Sequence, residues 1–315
     1  MFAEETIGDA MLEIKKVENK RLITLIVGSD SLIGSALMTC LKRTGEQVVG
    51  TTRRRQAVNE SHIYLDLSKD LSSWNCPLSI EVAVICAAVT KLDECKHNPQ
   101  ASKLVNVDGI SALVKSLTAK GTFVIFLSTN MVFDGSVPCC LPDEPVSPKT
   151  VYGQQKTEIE RQLCQLGDLV TIVRFTKILG AKIPLFISWS EALINGKTIH
   201  PFSDMFMAPL PLSYVISVLR LLIDTRLPGI FQVSADRDIS YAEVARLSAH
   251  FLDVGKHLVQ PILASQSDIC LEHISRYTTM DTSRLKSTFG LEPPNVNWTI
   301  KTAFTNPALF SGVCL

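Results

Sequence analysis

Tyr152 and Lys156 are the side chains of this 315-residue chain whose types and spacing best suit proton transfer. They lie four residues apart in the stretch 152–166, which has the pattern of a helix, so both project from one helix face. A nearby ammonium favours the phenolate and lowers the pKa of a tyrosine, which would make the phenol a proton donor near neutral pH. The same spacing also occurs by chance on exposed helices, so the pair needs supporting residues.

Hydroxyl groups that could hold a carbonyl follow the predicted strand at 123–127. The strand runs into Ser128 and Thr129, and doubly wound sheets bind ligands at the carboxyl ends of their strands. A hydroxyl there could hydrogen-bond a substrate carbonyl while Tyr152 supplies a proton. These residues together predict a site for reducing a carbonyl group.

A turn with the pattern of a phosphate-binding loop follows the first predicted strand, 22–27. It reads Gly28-Ser29-Asp30-Ser31-Leu32-Ile33-Gly34 and leads directly into a helix. Glycine permits the tight turn, and the free N–H groups at the start of the helix attract a pyrophosphate. Ser31 stands where a third glycine is expected. A purely structural turn would look similar, but the order of strand, turn and helix favours dinucleotide binding.

The end of the second predicted strand distinguishes between the two nicotinamide dinucleotides. A carboxylate there would bind the ribose hydroxyls of NAD(H), but the sequence continues with Arg53 and Arg54 instead. Guanidinium groups suit a 2′-phosphate, so the sequence favours NADP(H) over NAD(H), with a solvated basic loop as the alternative. Asp66 and Leu67, after the third strand, are candidates for contacting the adenine.

Short apolar runs alternate with helical stretches, which predicts an α/β fold with a Rossmann-type, doubly wound parallel sheet. Strands are predicted at 22–27, 47–51, 63–65, 82–86, 123–127, 170–175 and 229–233. We expect an N-terminal extension at 1–20, an NADP-binding domain at 21–180 that also receives 229–252, and a smaller, mixed α/β substrate-binding lobe at 181–315.

Composition limits the classes of partner. The net charge is zero, which argues against nucleic acid and against anionic membranes, and no apolar run is long enough to span a bilayer. The nine cysteines include no Cys-x-x-Cys pair, so we expect free thiols, no metal site and a cytoplasmic location. The oligomeric state is open, and a homodimer is compatible with the sequence.

The motifs jointly resemble those of the extended short-chain dehydrogenase/reductases, and within them the dTDP-4-dehydrorhamnose reductase branch. The resemblance covers about residues 22–305. It is carried by Ser128-Thr129-Asn130-Met131-Val132-Phe133-Asp134-Gly135, Val151-Tyr152-Gly153-x-x-Lys156, Ala87-Ala88 with Asn106-Val107-Asp108, Val173-Arg174-Phe175, Gly229–Ser234 and Met280-Asp281-Thr282-Ser283-Arg284-Leu285.

The resemblance implies a role for each residue. Thr129 would bind the keto oxygen, Tyr152 would donate the proton, and Lys156 would bind the nicotinamide ribose and depress the tyrosine pKa. The substrate would be a 4-keto sugar attached to a nucleotide. Further cofactor contacts are implied for Ala87, Ala88 and Asn106, the last of which would help to order the lysine through the backbone or a water. Substrate contacts are implied for Asn130, Met131, Arg174, Lys177 and Asp204.

Several substrate-facing positions depart from the branch. Asn130 and Met131 replace an Asp-Tyr pair, Lys177 replaces a tryptophan, and the segment after Asp204 loses a glutamine and a glycine. Cys86 replaces the asparagine before the two alanines. Thr129, Tyr152 and Lys156 are kept, so redox competence is expected. The changed positions are compatible with a keto-sugar nucleotide different from that of the branch.

Two alternatives remain open. The regulatory β subunit of methionine adenosyltransferase belongs to the same branch and binds NADP without catalysing a reaction. A nucleotide-sugar epimerase is the other alternative, although the arginines after the second strand disfavour the tightly held NAD of such enzymes. Retention of Tyr152 and Lys156 favours catalysis, because proton transfer is the function that requires them.

Overall fold

A sheet of seven parallel strands forms the centre of the computed structural model, which describes residues 23–76, 78–269 and 271–310. In chain order the strands are β1 (Ile23–Val27), β2 (Gln47–Thr52), β3 (His62–Tyr64), β4 (Val82–Ile85), β5 (Phe123–Thr129), β6 (Val170–Phe175), β7 (Ile178–Leu179), β8 (Phe206–Met207), β9 (Leu210–Pro211), β10 (Gly229–Val233) and β11 (Ile239–Ser240). The large sheet has the order β10-β6-β5-β4-β1-β2-β3, which confirms the predicted Rossmann-type fold class. The predicted extension at 1–20 lies outside the described residues.

Helices follow most of these strands. They are α1 (Leu32–Arg43), α2 (Leu92–His97), α3 (Pro99–Lys103), α4 (Ile110–Thr118), α5 (Val151–Cys164), α6 (Pro184–Ile194), α7 (Leu212–Thr225), α8 (Tyr241–Phe251), α9 (Ser283–Phe289) and α10 (Val296–Thr305). A π-helical segment, Leu104–Gly109, joins α3 to α4. A capping box begins α8, because Ser240 and Glu243 bond each other's backbone N–H groups.

Alternating side chains of the buried strands supply two separate hydrophobic layers. In β4, Val82 and Val84 belong to the layer beneath α1 and α7, whereas Ala83 and Ile85 belong to the layer beneath α4 and α5. This alternation explains the continuous apolar runs in the sequence, because both faces of the sheet are covered by helices. The two layers hold the carboxyl ends of the central strands, and therefore the residues that follow them, in fixed positions.

A third hydrophobic cluster lies among helices later in the chain. Its buried members include Trp189 of α6, Val244 of α8 and Ile300 of α10. Two small pairings, β7 with β9 and β8 with β11, accompany it. β10 returns to the large sheet beside β6, and the domain boundary at residue 180 stays a prediction.

A buried ion pair fastens α5 to the sheet. The Arg174 guanidinium on β6 lies 2.8 Å from the Glu160 carboxylate on α5, and their side chains are only 3% and 6% exposed. Arg174 also donates to the Pro142 carbonyl at 3.0 Å and to Gln232 Oε1 at 3.2 Å. These partners use its donors inside the protein, which corrects the sequence-based assignment of Arg174 to the substrate.

The described residues bear on two further expectations. Most of their cysteines are free, namely Cys76, Cys86, Cys95, Cys139, Cys140 and Cys164. Cys40 is disulfide-bonded, so the expectation of free thiols throughout is wrong at this position. In the described ranges, every helix is too short or too polar to cross a membrane.

Removing one partner of the α5–β6 ion pair should destabilise the fold strongly. The substitution Glu160→Ala leaves the buried Arg174 charge uncompensated, and we expect it to lower the free energy of unfolding by about 3–5 kcal/mol. Urea denaturation followed by circular dichroism measures this change. The control Glu292→Ala removes the acid of the exposed Lys286–Glu292 pair and should have almost no effect. Equal effects of the two substitutions would contradict a structural role for Arg174.

Candidate active site

A cleft of about 960 Å³ opens at the carboxyl edge of the sheet. The sequence-predicted residues among those lining it are Ile33, Ala88, Thr129, Asn130, Met131, Tyr152, Lys156 and Lys177. The sheet therefore brings the proposed carbonyl-binding threonine and the tyrosine–lysine pair to one cavity, although 23 residues separate Thr129 from Tyr152 in the sequence.

Lys156 lies at the floor of the cleft with its ammonium almost fully buried. Nζ donates a hydrogen bond to the Leu127 carbonyl at 2.7 Å and lies 4.4 Å from the centre of the Phe126 ring. Burial lowers the lysine pKa to about 8, although the Glu160 charge opposes that shift. The ammonium is thus poised to exchange its proton close to physiological pH.

The environment of Tyr152 differs from the sequence-based expectation. Lys156 was expected to depress the tyrosine pKa, but burial raises that pKa well above its ordinary value, with a smaller contribution from Cys95. Lys156 Nζ lies 5.8 Å from the centre of the tyrosine ring and is directed at Leu127. Tyr152 is therefore a neutral phenol at neutral pH and holds its proton more tightly than an exposed tyrosine does.

Thr129 ends β5 and caps the short 3₁₀ turn Asn130–Val132. Its Oγ1 accepts a hydrogen bond from Met131 N at 3.2 Å and is 3.5 Å from Asn130 Oδ1. The first contact uses a lone pair, and the second is too long for a strong hydrogen bond, so the hydroxyl proton can be redirected to a substrate oxygen. Asn130 and Met131 lie beside it in the cleft.

The Gly28–Gly34 turn has the geometry of an anion site. Gly28 has φ +81°, a conformation that favours glycine. A β-carbon at residue 28 would lie 2.7 Å from Ala87, so glycine allows the turn to approach the loop after β4 closely. Ser31 adopts ordinary extended backbone and accepts from Gly34 N at 3.0 Å as the N-cap of α1. The N–H groups of Leu32 and Ile33 have no acceptor within the helix, by the geometry of a helix start.

The end of β2 is more complex than the sequence indicated. Arg53 and Arg54 are both exposed, but Arg54 forms an ion pair with Asp30 of the glycine turn. Asp66 is half-buried, and its carboxylate accepts hydrogen bonds from Ser68, which hold its pKa below the ordinary value against the opposing effect of burial. Leu67 is buried, and its side chain packs in the hydrophobic core. Its backbone carbonyl lies against Gly109.

Asn106 supports the cleft from beside Lys156. Its side chain accepts from Val89 N at 2.8 Å and donates to the Val89 carbonyl at 2.9 Å and to Gln155 Oε1 at 2.8 Å. It thereby joins the loop after β4 to the residue preceding Lys156. An indirect action on the lysine, through the backbone or a water, stays a prediction.

The two remaining substrate candidates have different outcomes. Lys177 lines the cleft, and desolvation by the surrounding protein lowers its amine pKa. The Asp204 carboxylate accepts a hydrogen bond from Ala264 N at 2.9 Å and so holds the turn that begins there. Asp204 is not among the residues that line the cleft, and its contact with the substrate stays a prediction.

Sequence reasoning missed a group of later residues that line the cleft, among them Ile269, Glu272 and Thr278. Glu272 is its most informative residue, because Oε1 accepts from Val151 N at 2.8 Å, at the first turn of α5. Its other oxygen, Oε2, is buried and has no hydrogen-bond partner among the described residues. A negative charge stabilises a helix N-terminus, but no local pattern in the sequence pointed from residue 272 to residue 151.

The sequence model of the family described as RmlD substrate binding domain matches residues 22–308. The chain belongs to this family. It is thus a member of the extended short-chain dehydrogenase/reductases, as the motifs predicted.

The similarity extends over most of the chain. The methionine adenosyltransferase 2 subunit beta of Bos taurus is 24% identical over 290 residues, covering 89% of this chain and 86% of the relative. The dTDP-4-dehydrorhamnose reductase of Bacillus anthracis, solved with NADP, aligns with TM-score 0.76 and 19% identity over 90% of this chain and 98% of that one. MoeE5, solved with UDP-glucose and NAD, gives TM-score 0.74 and 21% identity, with 89% and 97% coverage.

The close packing of the glycine turn predicts that Gly34→Ala weakens dinucleotide binding. A β-carbon at residue 34 would lie 2.4 Å from the Gly28 carbonyl oxygen, so the turn must open and its N–H groups must move. We expect the Kd for NADPH, measured by fluorescence titration, to rise at least about tenfold through loss of this anion site. Ser35→Ala, on the exposed side of the same helix, is the control. An unchanged Kd in the folded glycine variant would argue against cofactor binding at this turn.

Proposed function

We propose that this protein is an NADPH-dependent reductase of a 4-keto sugar attached to a nucleotide. The observation that carries the proposal is the meeting of Thr129, Tyr152 and Lys156 in one cleft beside the glycine turn. The groups match the requirements of carbonyl reduction, which needs a hydrogen-bond donor to the oxygen, a proton source and a hydride source. Membership of the family supports the same chemistry.

The residues present fit a dinucleotide. The unpaired N–H groups at the start of α1 suit a pyrophosphate, and the lack of a side chain at Gly28 and Gly34 lets the backbone pack closely there. Arg53 and Arg54 support NADPH, since guanidinium groups bind a 2′-phosphate well. Bound NADPH would supply a hydride to the substrate carbonyl carbon.

This chain's own residues would position the carbonyl and deliver the proton. The Thr129 hydroxyl donates to the keto oxygen in place of its long contact with Asn130. Tyr152 transfers its proton to that oxygen as negative charge develops there, and the resulting phenolate is stabilised by the Lys156 ammonium. The Leu127 carbonyl and the Phe126 ring hold that ammonium at the floor of the cleft.

The cleft is large enough for a nucleotide-linked sugar, and its lining is chemically mixed. Lys177, Tyr241 and Glu272 are among the residues that line it. A lysine suits a diphosphate and an aromatic ring suits a base or sugar face. Asn130, Met131 and Lys177 depart from the reductase branch, and these changes are compatible with a sugar different from the branch's own substrate.

A regulatory subunit is the second candidate function. The similarity to methionine adenosyltransferase 2 subunit beta over 89% of the chain favours it, as do the altered substrate positions. Such a protein would need the glycine turn but no proton donor. The retained Tyr152, with its hydroxyl making no hydrogen bond to the described part of the chain, is better suited to catalysis.

Removing the tyrosine hydroxyl separates these two functions. With NADPH and dTDP-4-dehydrorhamnose or a related 4-keto nucleotide sugar, we expect Tyr152→Phe to lower kcat by about 10²–10⁴-fold through loss of the proton donor. NADPH oxidation followed by absorbance measures the rate, and fluorescence titration should show unchanged NADPH affinity.

Tyr214→Phe is the matched control, because the Tyr214 hydroxyl donates to the Glu292 carbonyl away from the cleft. It should keep full activity. Failure of the unaltered protein to oxidise NADPH with any 4-keto nucleotide sugar, together with stimulation of a partner enzyme that survives Tyr152→Phe, would support the regulatory function instead.

The lowered pKa of Lys156 leads to a prediction of how the reaction depends on pH. Lys156, whose pKa burial lowers to about 8, is protonated below that pH and neutral above it. Since its charge stabilises the phenolate, kcat should be high below pH 8 and fall as the pH rises. Lys156→Arg keeps its charge and should shift the fall to higher pH, at a lower overall rate. A kcat that increases through pH 8 would be incompatible with this role.

A further inference from the structure

Lys177 is a charged side chain of the cleft that the proposed mechanism does not use. Other charged groups of the cleft have partners in the protein, since Lys156 donates to the Leu127 carbonyl and Glu272 accepts from Val151 N. The Lys177 ammonium makes no hydrogen bond or ion pair with any residue that the structure describes. Its charge is therefore available to a ligand.

The backbone holds this lysine in a fixed position. Lys177 follows β6, and its carbonyl accepts a hydrogen bond from Leu210 N at 2.7 Å. The preceding residue, Thr176, donates from Oγ1 to the Ala208 carbonyl at 2.6 Å and from N to the Val233 carbonyl at 3.2 Å. The side chain thus extends from a stretch of backbone that is bonded to two other parts of the chain.

The surroundings of the lysine favour a negatively charged ligand. The Lys177 side chain is open to the cleft, yet the surrounding protein desolvates the amine and thereby lowers its pKa. The cleft is also lined by the apolar side chains of Ile178, Met205 and Phe206. A charge that is partly removed from water is stabilised best by a close opposite charge that accepts its hydrogen bonds.

The sheet places Lys177 near the residue that would hold the substrate carbonyl. Thr129 of β5 is paired with Phe175 of β6, and Lys177 lies two residues farther along the chain. Two residues span at most about 7 Å of backbone, so the lysine side chain can reach groups close to the keto carbon. The diphosphate of a 4-keto nucleotide sugar is attached at the anomeric carbon, across the ring from the keto group. A charged group on the sugar itself is therefore the nearer anion.

We propose that Lys177 binds a carboxylate on the sugar, so that this protein acts on nucleotide-linked sugar acids. The ammonium donates charge-assisted hydrogen bonds to the carboxylate, and such bonds are stronger than those between neutral groups. A neutral sugar leaves the desolvated ammonium unpaired and is therefore bound less tightly. The inference rests on the proposed function, because it names the class of substrate for the same cleft.

Ligands that differ only in the charge of the sugar test the inference without turnover. UDP-glucuronic acid and UDP-glucose form one pair, and the dTDP-linked forms of the same two sugars form a second. In the presence of NADPH, we expect the full chain to bind the sugar acid with a Kd at least about tenfold lower than that of its neutral partner, in the pair whose nucleotide it accepts. Isothermal titration calorimetry measures these constants.

Two substitutions of the lysine assign this preference to its charge. Lys177→Met should abolish the difference by weakening the sugar acid alone, and Lys177→Arg should largely keep it because the positive charge remains. Lys197→Met is the control, since Lys197 is exposed and is not among the residues that line the cleft. It should leave all the constants unchanged, and circular dichroism verifies the folding of each variant.

Equal affinity of the unaltered chain for the sugar acid and the neutral sugar would overturn the inference. An equal weakening of both sugars and of the free nucleoside diphosphate in Lys177→Met would also overturn it, by assigning the lysine to the diphosphate. Failure of every one of these nucleotide sugars to bind the unaltered chain would contradict the proposed function itself, and this inference with it.

Discussion

The buried ammonium of Lys156 is the constraint around which the site is organised. A charge in the interior is costly unless neighbouring groups stabilise it. Here the Leu127 carbonyl accepts a hydrogen bond from the ammonium, and the Phe126 ring lies against it. Because these groups belong to β5 and the lysine belongs to α5, the helix must be held in one position on the sheet. Any shift of α5 would separate the ammonium from its acceptor.

Three contacts made by different parts of the chain hold α5 in that position. The Arg174–Glu160 ion pair attaches its middle to β6, and the Asn106–Gln155 hydrogen bond attaches it to the π-helical segment. Glu272, far along the chain, accepts a hydrogen bond from Val151 N in its first turn. Tyr152 and Lys156 are thus oriented by groups that do not take part in the chemistry, which is the usual requirement for a preorganised site.

The glycine turn and the end of β2 form a second unit, built on hydrogen bonds to Thr51. This unit would bind the dinucleotide, whereas the first unit would determine what happens to the substrate carbonyl. Later residues, among them Ile269, Glu272 and Thr278, complete the lining of the cleft. These residues are remote in sequence from both units.

The sequence by itself determined the fold class, and it singled out the residues on which the proposed chemistry rests. Doubly buried strands leave continuous apolar runs, the glycine turn must precede a helix, and a tyrosine–lysine pair four residues apart must share a helix face, so local patterns suffice for all three. It did not determine the partners of long polar side chains. Arg174 and Asp204 have the residue types of ligand-binding groups, but the structure directs them to Glu160 and Ala264.

Tertiary structure alone decided the electrostatics. Burial raises the pKa of Tyr152, where spacing had suggested that Lys156 would lower it, because desolvation depends on every neighbour and not on one. It also brought Asp30 to the end of β2 and Glu272 to the start of α5. Such contacts join residues that are 22 and 121 positions apart, and no periodicity in a single chain records them.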